Sequence, residues 1–169
     1  MIEAGILHER DRVELIRGEI IQMAAIGQKH ASCVRRASTV LRLSLGNRAF
    51  VDTQNPVEMG EYSEPQPDIA LLRPRDDYYA TEHPKAEDVF LIIEVADSTL
   101  RSDRMVKLPL YAEDQIAEVW IVDLNAETVE VYREPTSTGY QSVQTLERGA
   151  TIALLAFPEI AIAVDEILG

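Results

Sequence analysis

The stretch VFLIIEV at residues 89–95 is a nearly unbroken apolar and β-branched run that carries one carboxylate, Glu94, close to its end. A strand with one face in the core alternates apolar and polar residues, whereas a strand covered on both faces does not. The run therefore reads as a central strand of an α/β sheet. Upstream, residues 73–88 are rich in charge and tyrosine and read as a surface excursion. Before them, residues 68–72, 56–59 and 49–53 look like short strands separated by polar turns, including Ser63-Glu64-Pro65-Gln66-Pro67.

Further outward, Val34, Ala37, Val40, Leu41 and Leu45 recur at helical spacing, so residues 28–45 form a long helix that stops at Gly46-Asn47. Residues 13–16 and 19–23 flank Arg17-Gly18 as a β-hairpin. Downstream, Ser102 or Asp103 is an N-cap for a second helix reaching Asp114. Pro109 inside it has no amide proton and should kink or restart it. EVWIVD (118–123) and TVEVYR (128–133) form a hairpin through residues 124–127. Residues 140–146 and 151–155 are expected to extend that sheet, and residues 160–168 to close the core. The expected architecture is one α/β domain over residues 1–169, a mixed sheet flanked by helices with additional N- and C-terminal hairpins.

Composition fits this reading. With 46% hydrophobic and 27% charged residues, the chain is neither disordered nor fibrous. Cys33 is the single cysteine, which leaves no intramolecular disulfide and suits a reducing cytoplasm. The start has charges spread throughout, so neither a signal peptide nor a membrane anchor is expected. A net charge of -13 argues against sequence-independent coating of DNA, because phosphate binding depends on Lys and Arg releasing counterions. Nucleic acid would have to be met through a metal ion or a local basic patch, for which Arg35, Arg36, Arg42, Arg101, Arg104 and Lys107 are the candidates.

Two carboxylates stand out by position. Asp68 opens a strand directly after Pro67, and Glu94 lies at the end of the most apolar strand. A carboxylate beside a buried run costs free energy unless a cation or hydrogen bonds compensate it. If the two strands are neighbours, both carboxylates can converge on one Mg²⁺ or Mn²⁺, with the Val95 backbone carbonyl as a further ligand. Lys107, on the following helix, can fold back beside Glu94, where an ammonium would steady charge growing on a phosphodiester.

From residue 13 to the C-terminus the sequence resembles the Uma2 family (DUF820), a branch of the PD-(D/E)XK restriction-endonuclease-like group. The resemblance rests on VELIRGEIIQM (13–23), His30, QPDIALL (66–72), the block from LIIEVADSTL to EVYRE (91–134) and AFPEIAIAVDEIL (156–168). It implies that Pro67-Asp68 is the PD element and Glu94 the acidic residue of the (D/E)XK element. Ala96 occupies the usual lysine position, so the plain motif is broken; the family's lysine looks relocated to the next helix, which falls on Lys107. His30 and Glu19 are shared positions, as further metal ligands or proton-transfer groups. Asp97, Ser98 and Asp103 belong to a shared loop whose expected work is hydrogen bonding within the loop and helix cap.

The resemblance thus implies a Mg²⁺- or Mn²⁺-dependent endonuclease with catalytic residues Asp68, Glu94 and Lys107, acting on nucleic acid, with DNA expected. The rival reading is an inactive nuclease fold serving as a protein-binding or regulatory module. A different hydrolase has little support, since there is no Gly-x-Ser-x-Gly, no phosphate-cradling glycine loop and no His-rich zinc motif. A homodimer is expected, because cutting both strands of a duplex is simplest with two symmetric sites.

Overall fold

The computed structural model describes residues 12–169. The described chain opens with the antiparallel hairpin β1 (Val13–Ile16) and β2 (Glu19–Gln22). Arg17 and Gly18 supply the positive φ values, 50° and 81°, that a two-residue hairpin turn needs. Helix α1 (Gln28–Leu45) follows, burying Val34, Ala37, Ser38, Leu41 and Leu45 along one stripe.

The centre is a six-stranded sheet of β3 (Phe50–Asp52), β4 (Ile69–Leu72), β5 (Val89–Ala96), β6 (Glu118–Asp123), β7 (Thr128–Thr136) and β8 (Gly139–Glu147), side by side in that order. Only β5 and β6 pair in parallel. Parallel neighbours need a crossover, and here it is helical: α2 (Leu100–Ser102), a π-helical stretch (Asp103–Lys107) and α3 (Leu108–Glu113). Beyond the sheet lie the antiparallel pair β9 (Thr151–Ala153) and β10 (Ala161–Ala163), and the short helix α4 (Val164–Leu168).

The two faces of β5 explain its unbroken apolar sequence. Leu91, Ile93 and Val95 join a core with α1, α4 and the β9–β10 pair. Ile92 and Ala96 join a second core with Leu110 and Tyr111 of α3 and with Val57 and Met59 of the loop before β4. Each fully buried Leu, Ile or Val contributes about 1.5–3 kcal/mol, so both layers hold the strand. Glu94 has the parity of the second face and is buried within it.

Several expectations need correction. Residues 56–59 form isolated bridges, Glu58 to Lys85 and Met59 to Ser63, and no strand. The second helix begins at Leu100, ahead of Ser102 and Asp103, neither of which caps it. Pro109 shapes this helix without ending it. Its ring would crowd the carbonyl four residues back, and it has no N–H to offer there. The turn ahead of it widens, so that the Leu108 N–H reaches the Asp103 carbonyl. Strand β9 pairs with β10 and does not extend the main sheet. Among the described residues no helix is long and apolar enough to cross a membrane.

Candidate active site

Ile69 pairs with Ile93 in the antiparallel β4–β5 ladder. Continuing that register by one residue sets Asp68 opposite Glu94, on the face lined by Ala70 and Ile92. Both open on a cleft of about 320 Å³ bounded by the β1–β2 hairpin, the start of α1 and the turn leading into α2. His30 and Lys107 line the same cleft. The structure therefore brings four of the expected residues together.

Asp68 is held from three sides. Its Oδ2 accepts the Val95 backbone N–H at 2.8 Å and His30 Nε2 at 2.9 Å, and its Oδ1 accepts Gln54 Nε2 at 3.3 Å. A residue in a strand turns its N–H and C=O to the same edge, so the Val95 carbonyl also faces the Asp68 side. His30 stands in the first turn of α1, one turn before the buried Cys33 and Val34. Its Nδ1 is buried and has no partner among the described residues. The imidazole is thus committed to orienting Asp68. The hydrogen bond to Asp68 holds its pKa above the ordinary value despite burial, with the charges of Asp68 and Asp103 adding to the effect.

Glu94 Oε1 accepts Lys107 Nζ at 3.2 Å and the Tyr111 hydroxyl at 2.5 Å. With both donors on Oε1, the other oxygen is free of these contacts. Lys107 also lies 3.2 Å from Glu14 Oε2, and that same oxygen accepts the Gln66 backbone N–H. Because an ammonium has three N–H donors, two carboxylates leave one for another acceptor. The widened turn places Asp103 and Lys107 on one buried face, where Asp103 accepts Thr99 Oγ1 at 2.7 Å.

Buried carboxylates outnumber the buried cations here: Glu14, Asp68, Glu94 and Asp103 face Lys107 and the half-buried His30, with Arg12 exposed at the cleft's rim. The titration behaviour follows. Burial lifts the Glu94 carboxyl to about 8, against the opposing pull of Lys107 and with a further push from Asp103 and Asp68. Burial likewise raises Asp103, with Thr99 and Lys107 opposing. Burial alone would lower Lys107, yet Glu94, Glu14, Asp103 and Asp68 together hold it above its ordinary value. A site that retains protons to balance excess buried negative charge is one that a divalent cation relieves. Among the described residues no group of three or more His, Cys, Asp or Glu is arranged to enclose a metal. Two carboxylate oxygens and a carbonyl fit a hard ion that keeps part of its water shell, such as Mg²⁺ or Mn²⁺.

Glu19 lies elsewhere, exposed at the start of β2 and outside the cleft lining. Glu14, which pairs with Ile21 across the hairpin, reaches the site instead. Parity alone did not single it out, because Ile16 shares its side of β1 while the apolar Val13 and Leu15 lie on the other. Tyr111 was hidden as one more apolar helix residue. The expected basic patch is largely spent on structure. Arg36 binds the Ile167 and Leu168 carbonyls at the end of α4, Arg42 binds the Val51 carbonyl, and Arg104 pairs with Glu130. Arg35 and Arg101 are exposed.

The same arrangement of elements is found in a known protein. A crystal structure described as "a putative nuclease belonging to DUF820" from Anabaena variabilis superposes with a TM-score of 0.78 at 20% identity, covering 98% of this chain and 94% of that one. At that identity the likeness establishes the fold. No curated protein matches the sequence. The Uma2 family model, described as "Putative restriction endonuclease", matches residues 3–165. With nearly its whole length covered by that model, the chain belongs to the Uma2 family.

Proposed function

We propose that this protein is a Mg²⁺- or Mn²⁺-dependent endonuclease that hydrolyses phosphodiester bonds, with DNA as its substrate. The observation that carries the reading is the convergence of Asp68 and Glu94, one residue beyond the Ile69–Ile93 strand pairing, with a buried lysine 3.2 Å from Glu94. The description of the family model and that of the structural neighbour support the same reaction class.

Asp68 and Glu94 would hold the ion, with the Val95 carbonyl facing the same edge. A bound divalent ion lowers the pKa of water toward neutrality and offsets charge on the phosphoryl oxygens. His30 fixes the orientation of Asp68, and the Val95 N–H keeps one Asp68 oxygen in place. Tyr111 and Lys107 together fix the Glu94 carboxylate. The remaining Lys107 N–H meets a phosphate oxygen whose charge grows as the bond breaks, which favours the transition state over the ground state. Glu14 is a positioning residue for Lys107. In an acidic chain, a cation held by Asp68 and Glu94 would also reduce the repulsion between the cleft and a phosphate backbone.

Two symmetric copies would cut both strands of a duplex, and we propose a homodimer on that ground. The direct test of the metal site is a crystal soaked in Mn²⁺. Anomalous density between Asp68 and Glu94 is expected. A soaked crystal without it would favour a protein-binding module built on a nuclease fold.

A further inference from the structure

A second pocket, of about 330 Å³, opens beside β3 at the edge of the main sheet, lined by Phe50, Asp52, Asn55, Tyr78, Tyr79 and His83 among others. Its size is at the lower end of the range of about 300–1,000 Å³ typical of small-ligand sites. Tyr78 stacks flat on Phe50, with ring centroids 5.0 Å apart and planes 8° from parallel, yet it is 75% exposed. The outer face of that ring is bare.

The backbone works to keep it so. Tyr78 and Tyr79 are consecutive left-handed residues, with φ of 52° and 58°. Bulky side chains rarely adopt this conformation, and it persists only where the surroundings enforce it. Here they do. Arg75 grips Asp77 at 2.9 and 2.7 Å and lies over the Tyr79 ring, while the Tyr79 hydroxyl donates to the Arg73 carbonyl at 2.8 Å. The clamped loop presents Tyr78 to solvent, where burying an apolar ring would have been the stabilising choice.

We infer that this pocket is a stacking subsite for an unpaired nucleobase, which extends the Phe50–Tyr78 stack. The inference rests on the nuclease reading for its biological sense and stands on the aromatic geometry for its chemistry. An aromatic face receives any base, and the Asp52 and Asn55 side chains, bonded to each other through Asp52 Oδ1, retain Asp52 Oδ2 and Asn55 Oδ1 as acceptors and a second Asn55 N–H as a donor for its polar edge. Phe50 and Asp52 pair with Leu72 and Ala70, so the pocket shares a sheet face with Asp68 and Glu94. Gln54, bonded to Asp68, lies two residues from Asp52 and four from Phe50. Arg42 is exposed near this edge, where it donates to the Val51 carbonyl of β3. The substrate class that fits is a strand with unpaired or flipped-out nucleotides near the cut.

The test is a titration of ring-labelled tyrosine protein with adenosine 5′-monophosphate in chelator, followed by NMR, with Tyr78→Phe used to assign the Tyr78 signal. Chelator silences the metal site, so the outcome does not depend on cleavage. Upfield ring-current shifts of Tyr78 are expected, unchanged in Asp68→Asn and absent with ribose 5-phosphate. No shift at Tyr78 up to tens of millimolar, or equal shifts with ribose 5-phosphate, would overturn the subsite. Base stacking in a protein that cuts nothing with Mg²⁺ would keep the subsite and remove the nuclease reading.

Discussion

Lys107 Nζ stands 3.2 Å from Glu94 Oε1, both side chains buried, although the two residues come from different elements thirteen positions apart. This ion pair joins the central strand to the crossover helix. Breaking a buried pair by removing one partner leaves the other charge uncompensated, at a cost of about 3–5 kcal/mol. Lys107→Met is therefore expected to abolish cleavage and to lower the melting temperature by roughly 6–20 °C, at about 2–4 °C per kcal/mol for a chain of this size. The loss should be smaller at pH 5, where Glu94 carries a proton. Thermal unfolding at pH 5 and pH 8 checks both statements.

The raised carboxyl of Glu94 fixes the sign of a pH effect. With a folded pKa of about 8 against an ordinary 4.5, the folded state holds a proton that the unfolded state has lost between those values. The Glu94 contribution in chelator is thus most favourable below about 4.5 and is lost as pH rises to about 8. Metal binding has the opposite slope, because the ion must displace that proton. Mn²⁺ titrations in buffers of different ionisation enthalpy should show proton release below pH 8 and tighter binding as pH rises from 6 to 8. Binding that weakens over that interval would contradict the assignment of Glu94 as a ligand.

How much of this was legible in the sequence depended on whether the cause was local. VFLIIEV announces a strand covered on both faces because burial is written directly into its composition. Asp68 and Glu94 were visible as carboxylates beside apolar strands. Glu14 was not, since Val13 and Leu15 suggest the opposite inward parity, and only contact with Lys107 reveals the direction. The start of the second helix was misplaced because Ser102 and Asp103 are capping residue types, whereas Thr99 precedes the first helical residue and Asp103 accepts its hydroxyl. The pairing of β9 with β10 is set by the packing of the tail against the core.

Tyr111→Phe removes the hydroxyl that donates to Glu94 Oε1. A hydrogen bond to a charged group contributes about 1.5–3 kcal/mol, and this one favours the ionised carboxylate. The Glu94 pKa should rise further, so the pH at which Mn²⁺ binds half-maximally should move upward. A profile superimposable on that of the parent protein would remove Tyr111 from the site's electrostatics.

Asp68 is what holds His30 above its ordinary pKa. In Asp68→Asn that support is gone while burial remains, so His30 should titrate below the ordinary histidine value. The NMR titration of the imidazole protons measures this without reference to activity. A His30 pKa unchanged by the substitution would mean that its charge is supported from elsewhere.

The central claim is that Asp68 and Glu94 hold a divalent ion that enables phosphodiester cleavage. Its most direct measurement is cleavage of a panel of duplex, single-stranded and branched DNA and of RNA, by wild type and by Asp68→Asn, in chelator, Mg²⁺, Mn²⁺ and Ca²⁺. The account predicts cleavage of at least one DNA member by wild type with Mg²⁺ or Mn²⁺, little with Ca²⁺, none in chelator and none by Asp68→Asn. Cleavage that persists in chelator or in Asp68→Asn, or no cleavage of any member with any ion, would contradict it.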